Sequence, residues 1–518
     1  MHRSALVMGS AITWTVLFGA AAAHAVPGFN ADSSALRAAI TDPNIRAHMV
    51  QLDRLARIWG GTRVDATRGY DASVNYVRSK LREAGYAVKL QPFDFYYFEE
   101  NAEPTLQRTT PTAREYVFVD DFYTMTYSGS GDVTGSLVAV KNLVLPPGAE
   151  PSSSSAGCAA GDFVPAGANP AIALIQRGTC DFVVKAANAQ AAGYDGVLIF
   201  NEGQPGRTDT FGGTLGGPGV NIPVVGTSFA VGNELAGLLK SAPVTLRLAV
   251  DATTTPSHST NVLADTSGRG DRVIVVGAHL DSVAEGPGIN DNGSGTAGIL
   301  EIAIQMAKLG IEPRNRVRFA FWGAEEFGLF GSQYYVDTLT DQQYFNTWAN
   351  LNFDMIASPN FARFVYDGDG SEFGLVGPPG SDIIEAIFEE YFGRNDLANE
   401  PTAFDGRSDY FAFINVGIPS GGLFTGAEEI KSAEQVGLYG GTAGVAFDPC
   451  YHQACDDIRN NNRRVLGQMT DAAANTVFKL AQSSAEFPSA QTASRASGRA
   501  AAGQAAARMD YRGSRLVR

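Results

Sequence analysis

His279 and Asp281 stand two residues apart just after the apolar run at 273–276 and Gly277, so on an extended backbone both side chains point to one side. Asp291 comes ten residues after Asp281, in a turn rich in Gly and Asn (Gly288, Gly293, Gly295). Glu325 and Glu326 follow the aromatic, apolar run at 317–323, Asp354 sits in Asn352-Phe353-Asp354-Met355, and His452 lies between Cys450 and Cys455. Taken singly, a His-x-Asp is ordinarily a hydrogen-bonded pair and a Glu-Glu pair a solvated face. Their recurrence at successive strand ends argues for a metal. Nitrogen and oxygen donors without thiolate favour zinc over iron–sulfur or copper–thiolate chemistry. His279, Asp291, Glu326, Asp354 and His452 are too many for one open tetrahedral site and suit two metals sharing a carboxylate. Histidine is scarce, six in the chain, and with His2 and His24 in a cleavable leader only His48, His258, His279 and His452 remain as candidate ligands.

The elements that must position these residues read as follows. Apolar periodicity predicts two helices between 33 and 85, the second starting after Asp71 and Ser73 as caps and each closed by glycine. Residues 86–97 alternate like a strand. Short β-like runs at 136–140, 171–175, 197–200 and 222–226, with a helix at 182–192, predict a second small α/β module inserted at 127–252. From 261 onward, apolar strands at 273–277, 317–322 and 351–356 alternate with helices at 296–308 and 329–339, the pattern of a mostly parallel sheet flanked by helices. Ligands in such sheets sit beyond the carboxyl ends of the strands.

A net charge of −15 over 518 residues, with no basic stripe in the body of the chain, argues against nucleic acid as a partner. The apolar segment at 5–23 before Ala23-His24-Ala25 reads as a signal peptide (1–25), giving a secreted, extracellular or periplasmic protein with no other membrane span; an uncleaved anchor is the alternative. The Ala/Ser/Gly/Arg-rich tail at 488–518 lacks the apolar bulk for a core, which predicts disorder or removal. Four cysteines in a secreted chain predict disulfides, and the pairs Cys158 with Cys180 and Cys450 with Cys455 need the least rearrangement of the chain.

Two resemblances follow from longer motifs. Ile175-Gln176-Arg177-Gly178-Thr179-Cys180-Asp181-Phe182, Ala191-Ala192-Gly193-Tyr194-Asp195-Gly196-Val197 and Ile222-Pro223-Val224-Val225 resemble a protease-associated (PA) domain, a module without catalytic residues. Ala278-His279-Leu280-Asp281-Ser282, Gly288-Ile289-Asn290-Asp291-Asn292-Gly293, Ala324-Glu325-Glu326-Phe327-Gly328, Asn352-Phe353-Asp354-Met355 and Tyr451-His452 resemble the secreted co-catalytic dizinc aminopeptidases of the aminopeptidase Y and bacterial leucyl aminopeptidase type. The resemblance implies a zinc-exopeptidase (phosphorylase/hydrolase-like) fold at 26–126 and 253–487, and a monomer acting on the N-termini of peptides and proteins, with leucine or other bulky apolar first residues preferred. It implies two Zn2+, with Asp291 bridging, His279 and Asp354 completing one site, Glu326 and His452 the other, and a metal-bridging hydroxide as nucleophile. Asp281 would accept from the other nitrogen of His279, Glu325 would be general base, and Tyr451 would donate to the oxyanion. It further implies a cis bond after Asp291 and a first-residue pocket formed by Arg407 and Phe424. On the residues alone, Tyr451 could instead pack beside the disulfide and Arg407 pair with Asp405 or Asp409. A glutaminyl cyclase or carboxypeptidase on the same scaffold, or a PA-peptidase-like receptor, are the competing functions, and cobalt or manganese could occupy the same ligands.

Overall fold

A computed structural model describes residues 25–150 and 152–485. The expected signal peptide, except Ala25, and the tail at 488–518 lie outside the described residues. Among the described residues, fourteen strands form one mixed sheet flanked by helices. At one end the strands Asn315–Trp322, Arg269–His279, Thr347–Phe353 and Ser420–Phe424 lie side by side and parallel. At the other end Gly131–Ala139, Ala171–Gln176, Gly196–Phe200 and Val224–Thr227 form a second parallel group.

The two groups are joined by a long antiparallel ladder between Val88–Thr110 and Thr245–Asp265, running from the pair Val88 and Ala264 to the pair Thr110 and Thr245. The second strand of the ladder pairs with Asn315–Trp322 near its carboxyl end and with Gly131–Ala139 near its amino end. The strand read from sequence as ending at 97 thus continues to Thr110. Glu99, Glu100, Asn101, Glu103 and Pro104 break the apolar alternation there, and register shifts at Glu100–Ala102 and Ala102–Thr105 accommodate them.

Period-2 burial explains why the strands lie where they do. Ile274, Val276 and Ala278 face one core cluster, and Val273 and Val275 the cluster on the opposite face. In the insert, Val197 and Ile199 face one cluster and Leu198 and Phe200 another, so both faces of its sheet are covered. Residues 33–85 form three helices rather than the two expected, Ser34–Ala39, Asp42–Ile58 and Arg68–Glu83, and the last begins at Arg68 rather than after Asp71 or Ser73: the Thr67 hydroxyl accepts from Tyr70 N and serves as the cap, leaving Asp71 in the first turn. Helix Gly293–Lys308 starts against the strand that carries Asp354. A Cβ on Gly295 would lie 2.1 Å from Phe353 O, so only glycine permits that approach. Both expected disulfides are present, Cys158–Cys180 and Cys450–Cys455.

Candidate metal centre

The carboxyl ends of three parallel strands meet here. His279 is the last residue of Arg269–His279, Glu325 and Glu326 follow Asn315–Trp322, and Asp354 follows Thr347–Phe353. Asp291 enters from the turn before helix Gly293–Lys308, its bond to Asn292 cis, and His452 from the loop closed by Cys450–Cys455. His279 Nε2 lies 3.1 Å from Asp291 Oδ1 and 3.2 Å from Asp354 Oδ1. His452 Nε2 lies 3.2 Å from Asp291 Oδ2 and 3.2 Å from Glu326 Oε2. Two groups able to hold a metal result, His279–Asp291–Asp354 and Asp291–Glu326–His452, with Asp291 in both.

Three backbone positions beside these groups have left-handed φ without glycine: Ala324 (51°), Met355 (51°) and His452 (54°). Such conformations cost about 1–3 kcal/mol each and persist where surrounding contacts enforce them. The contacts are visible. Asp281 stands 3.4 Å from His279 Nδ1 and accepts from Glu326 N at 3.1 Å, joining two strand ends. Ser408 Oγ donates to Asp354 Oδ2 at 2.6 Å, which leaves Oδ1 turned toward His279. Asp456, next to the disulfide, accepts from Asn290 N and Asp291 N at 2.8 and 3.0 Å.

Sequence reasoning missed two further residues. Arg63, fully buried before helix Arg68–Glu83, donates to Leu280 O, Pro287 O and Gly288 O, while its backbone N donates to Ser282 Oγ at 2.9 Å. Asp65 accepts from Ala324 N, at the turn that presents Glu325 and Glu326. Neither lies in a recognisable motif; a charged pair flanking a buried valine, Val64, was the available signal.

Electrostatically the centre is crowded with acids. Burial pushes Glu325 well above the carboxylate range, and burial with the neighbouring Asp291 pushes Glu326 to about 7. Burial works to raise Asp291 as well, but its bonds to His279 and His452 outweigh it and hold the group below its ordinary value. For His452 burial opposes the imidazolium, and Glu326 with Asp291 overrides it, raising the group to about 10. So many buried carboxylates call for cations.

Glu325, Tyr451, Arg407 and Phe424 line the pocket above the centre. The Tyr451 ring stacks on His452 at 3.9 Å between centroids, and its hydroxyl accepts from Arg407 Nη2 at 3.2 Å. Arg407 pairs with neither carboxylate weighed from sequence. Its guanidinium meets Glu428 at 3.0 Å and Glu429 at 3.4 Å, because Asp405 receives only its backbone N and Asp409 is buried at the start of helix Tyr410–Ile414. Phe424 stacks on Phe364 at 6.0 Å and gives the pocket an apolar wall.

Comparison with known proteins settles the family. Residues 261–477 match peptidase family M28 and residues 133–235 match the PA domain. An aminopeptidase of Pseudomonas aeruginosa is 47% identical over 442 residues, 83% of this chain and 79% of the relative. The chain belongs to peptidase family M28. This M28 aminopeptidase is also 41% identical over 437 residues to leucine aminopeptidase 2 of Arthroderma otae, covering 83% of this chain and 81% of the relative. BSAP, a zinc aminopeptidase from Bacillus subtilis, shares 25% identity with a TM-score of 0.52 over 85% of this chain and 95% of its own. The aminopeptidase from Aneurinibacillus sp. strain AM-1 shares the fold, with a TM-score of 0.66 at 24% identity over 88% of this chain and 97% of that one.

Zinc is the cofactor this family implies, and the M28 aminopeptidase's own atoms fit it. Glu326 Oε1 and Oε2 and His452 Nε2 are buried without hydrogen-bond partners, although His452 Nε2 lies within 3.2 Å of two carboxylates. In each group of three the possible ligand atoms lie within 4.8 Å of one another, close enough to share one cation. A third acidic group, Asp367–Asp369–Glu385, differs: backbone N–H groups of residues 368, 369 and 371–373 already donate to its carboxylates, and it reads as a braced loop.

Proposed function

We propose that the chain is a secreted aminopeptidase that removes leucine and similar bulky apolar residues from peptide N-termini and works with two zinc ions. The carrying observation is the shared Asp291 carboxylate, each oxygen of which faces a different histidine. His279, Asp291 and Asp354 would hold one ion, and Asp291, Glu326 and His452 the other. Zinc in such a donor set acts as a Lewis acid toward the scissile carbonyl and toward water.

The chain's own residues do the rest. Asp281 fixes the imidazole of His279 through Nδ1. Glu325 lines the pocket beside Glu326 without belonging to either group of three; it takes the proton of the attacking water and delivers it to the leaving amine. Tyr451 receives a hydrogen bond from Arg407, so its own O–H proton remains to donate to the carbonyl oxygen as negative charge develops there. The free α-amine of the substrate pairs with the acids lining the pocket, and Phe424 contacts the first side chain. Arg407 thereby acts on Tyr451 and the pocket edge rather than on the apolar side chain alone.

Two further observations support the reading. Relatives carry the name leucine aminopeptidase, and two disulfides fit an oxidising compartment. Two core clusters support a separate module around 127–252, and they also take in Phe98, Leu106, Tyr116, Phe122 and Met125 from the chain before it. A panel of amino-acyl p-nitroanilides tests the preference: leucine is expected to lead, and faster release of lysine or glutamate would refute an apolar pocket.

A further inference from the structure

Two cavities meet at Arg407. The catalytic pocket, of about 60 Å3, shares Asp405, Arg407 and Glu429 with a larger one of about 390 Å3, whose far wall is made by Phe182 and Phe211 of the insert and by Tyr123 of the strand Phe122–Thr124 that pairs with it. Resting on the aminopeptidase reading of the first pocket, we infer that the second is the binding site for the substrate chain beyond the scissile bond. It favours peptides with an aromatic or bulky apolar residue placed to lie on the Phe182–Phe211 shelf.

An exopeptidase pocket takes one chain end, and everything after the first residue must leave through its mouth. The catalytic pocket is several-fold smaller than its neighbour, and the residues at its rim are the residues of the neighbour's wall. The larger cavity, at about 390 Å3, has the room that the catalytic pocket lacks for the chain that follows.

Its shelf is also held in place. Phe182 and Phe211 pack at 5.4 Å between centroids, and the Arg177 guanidinium lies 5.8 and 5.2 Å from the two rings. Phe182 opens helix Phe182–Ala191, and a Cβ on Gly213 would come within 2.7 Å of its ring, so the neighbouring loop closes against it only with glycine there. Paired half-buried aromatic rings with fixed faces are suited to apolar side chains. The insert therefore contributes to substrate choice although it carries none of the catalytic residues.

The test compares two substrates that reach the shelf with two that do not. On the full-length enzyme, kcat/KM is measured for leucine p-nitroanilide, Leu-Ala amide, Leu-Ala-Phe amide and Leu-Ala-Asp amide. Extension to Leu-Ala-Phe amide is expected to raise kcat/KM about tenfold over Leu-Ala amide, and the Asp peptide to lose that gain. Phe211→Ser is expected to lower the ratio of Leu-Ala-Phe amide to anilide kcat/KM by about tenfold, with Phe211→Leu, which keeps the packing, intermediate. No gain with length in the unmodified enzyme, or an unchanged ratio in the variants, overturns the inference. Failure of the unmodified enzyme to release leucine from any of the four substrates would instead overturn the catalytic reading beneath it.

Discussion

His279 and His452 approach a single carboxylate from its two sides, His279 Nε2 at 3.1 Å from Asp291 Oδ1 and His452 Nε2 at 3.2 Å from Asp291 Oδ2. Removing that carboxylate therefore acts on both groups of ligands, whereas removing Asp354 acts on one. Zinc per chain after dialysis is expected to fall further in Asp291→Ala than in Asp354→Ala. Equal retention in the two variants would contradict the shared role.

Glu325 stands beside a ligand residue without being one of the grouped donors. Glu325→Gln keeps the shape of the side chain and removes its ability to take a proton. Zinc content is expected to stay at the wild-type level while kcat falls by about 10²- to 10⁴-fold. Loss of zinc in step with activity would make Glu325 a ligand instead.

Much of this centre was legible because its grouped side chains sit in short motifs, three at strand ends, one in a turn and one in a disulfide loop. His279, Asp291, Glu326, Asp354 and His452 could each be read beside an apolar run, a glycine-rich turn or a cysteine pair, and the structure brings all five together. The long ladder Val88–Thr110 was not legible past 97, since exposed charges there hide a strand whose order comes from its partner Thr245–Asp265. Nor could sequence assign the partner of Arg407: Asp405 and Asp409 are near in the chain, but Glu428 and Glu429 are near in space. Arg63 and Asp65 act through carbonyl and N–H groups, which carry no side-chain signature to read.

Arg63 gathers Leu280 O beside His279 and Gly288 O ahead of Asp291 on one guanidinium. Lysine keeps the charge but not the planar fork that reaches three carbonyls. Arg63→Lys is expected to weaken zinc retention in a chelator competition by about 10- to 100-fold, as loss of outer contacts to ligands does elsewhere. Lower activity with unchanged zinc affinity would assign Arg63 to folding rather than to positioning.

Lys185 lies buried in the insert, donating to Ala156 O, and burial pushes its pKa from 10.5 down to about 8. Between those values the unfolded chain holds a proton that the folded chain releases, so this group's contribution to stability rises with pH. The unfolding free energy of the wild type minus that of Lys185→Met is expected to increase from pH 8 to 10.5 by up to about 3 kcal/mol. A flat difference would show the ammonium to be solvated. The comparison is differential because tyrosines titrate in the same range.

The central claim is that Asp291 joins two zinc sites that together run one hydrolysis. The direct measurement is stepwise zinc titration of the chelator-stripped mature enzyme, recording bound metal per chain and the rate on leucine p-nitroanilide at each addition. The account predicts saturation at about two zincs per chain, with full activity only near the second equivalent. Saturation and full activity at one equivalent, or hydrolysis that survives complete removal of metal, would contradict it.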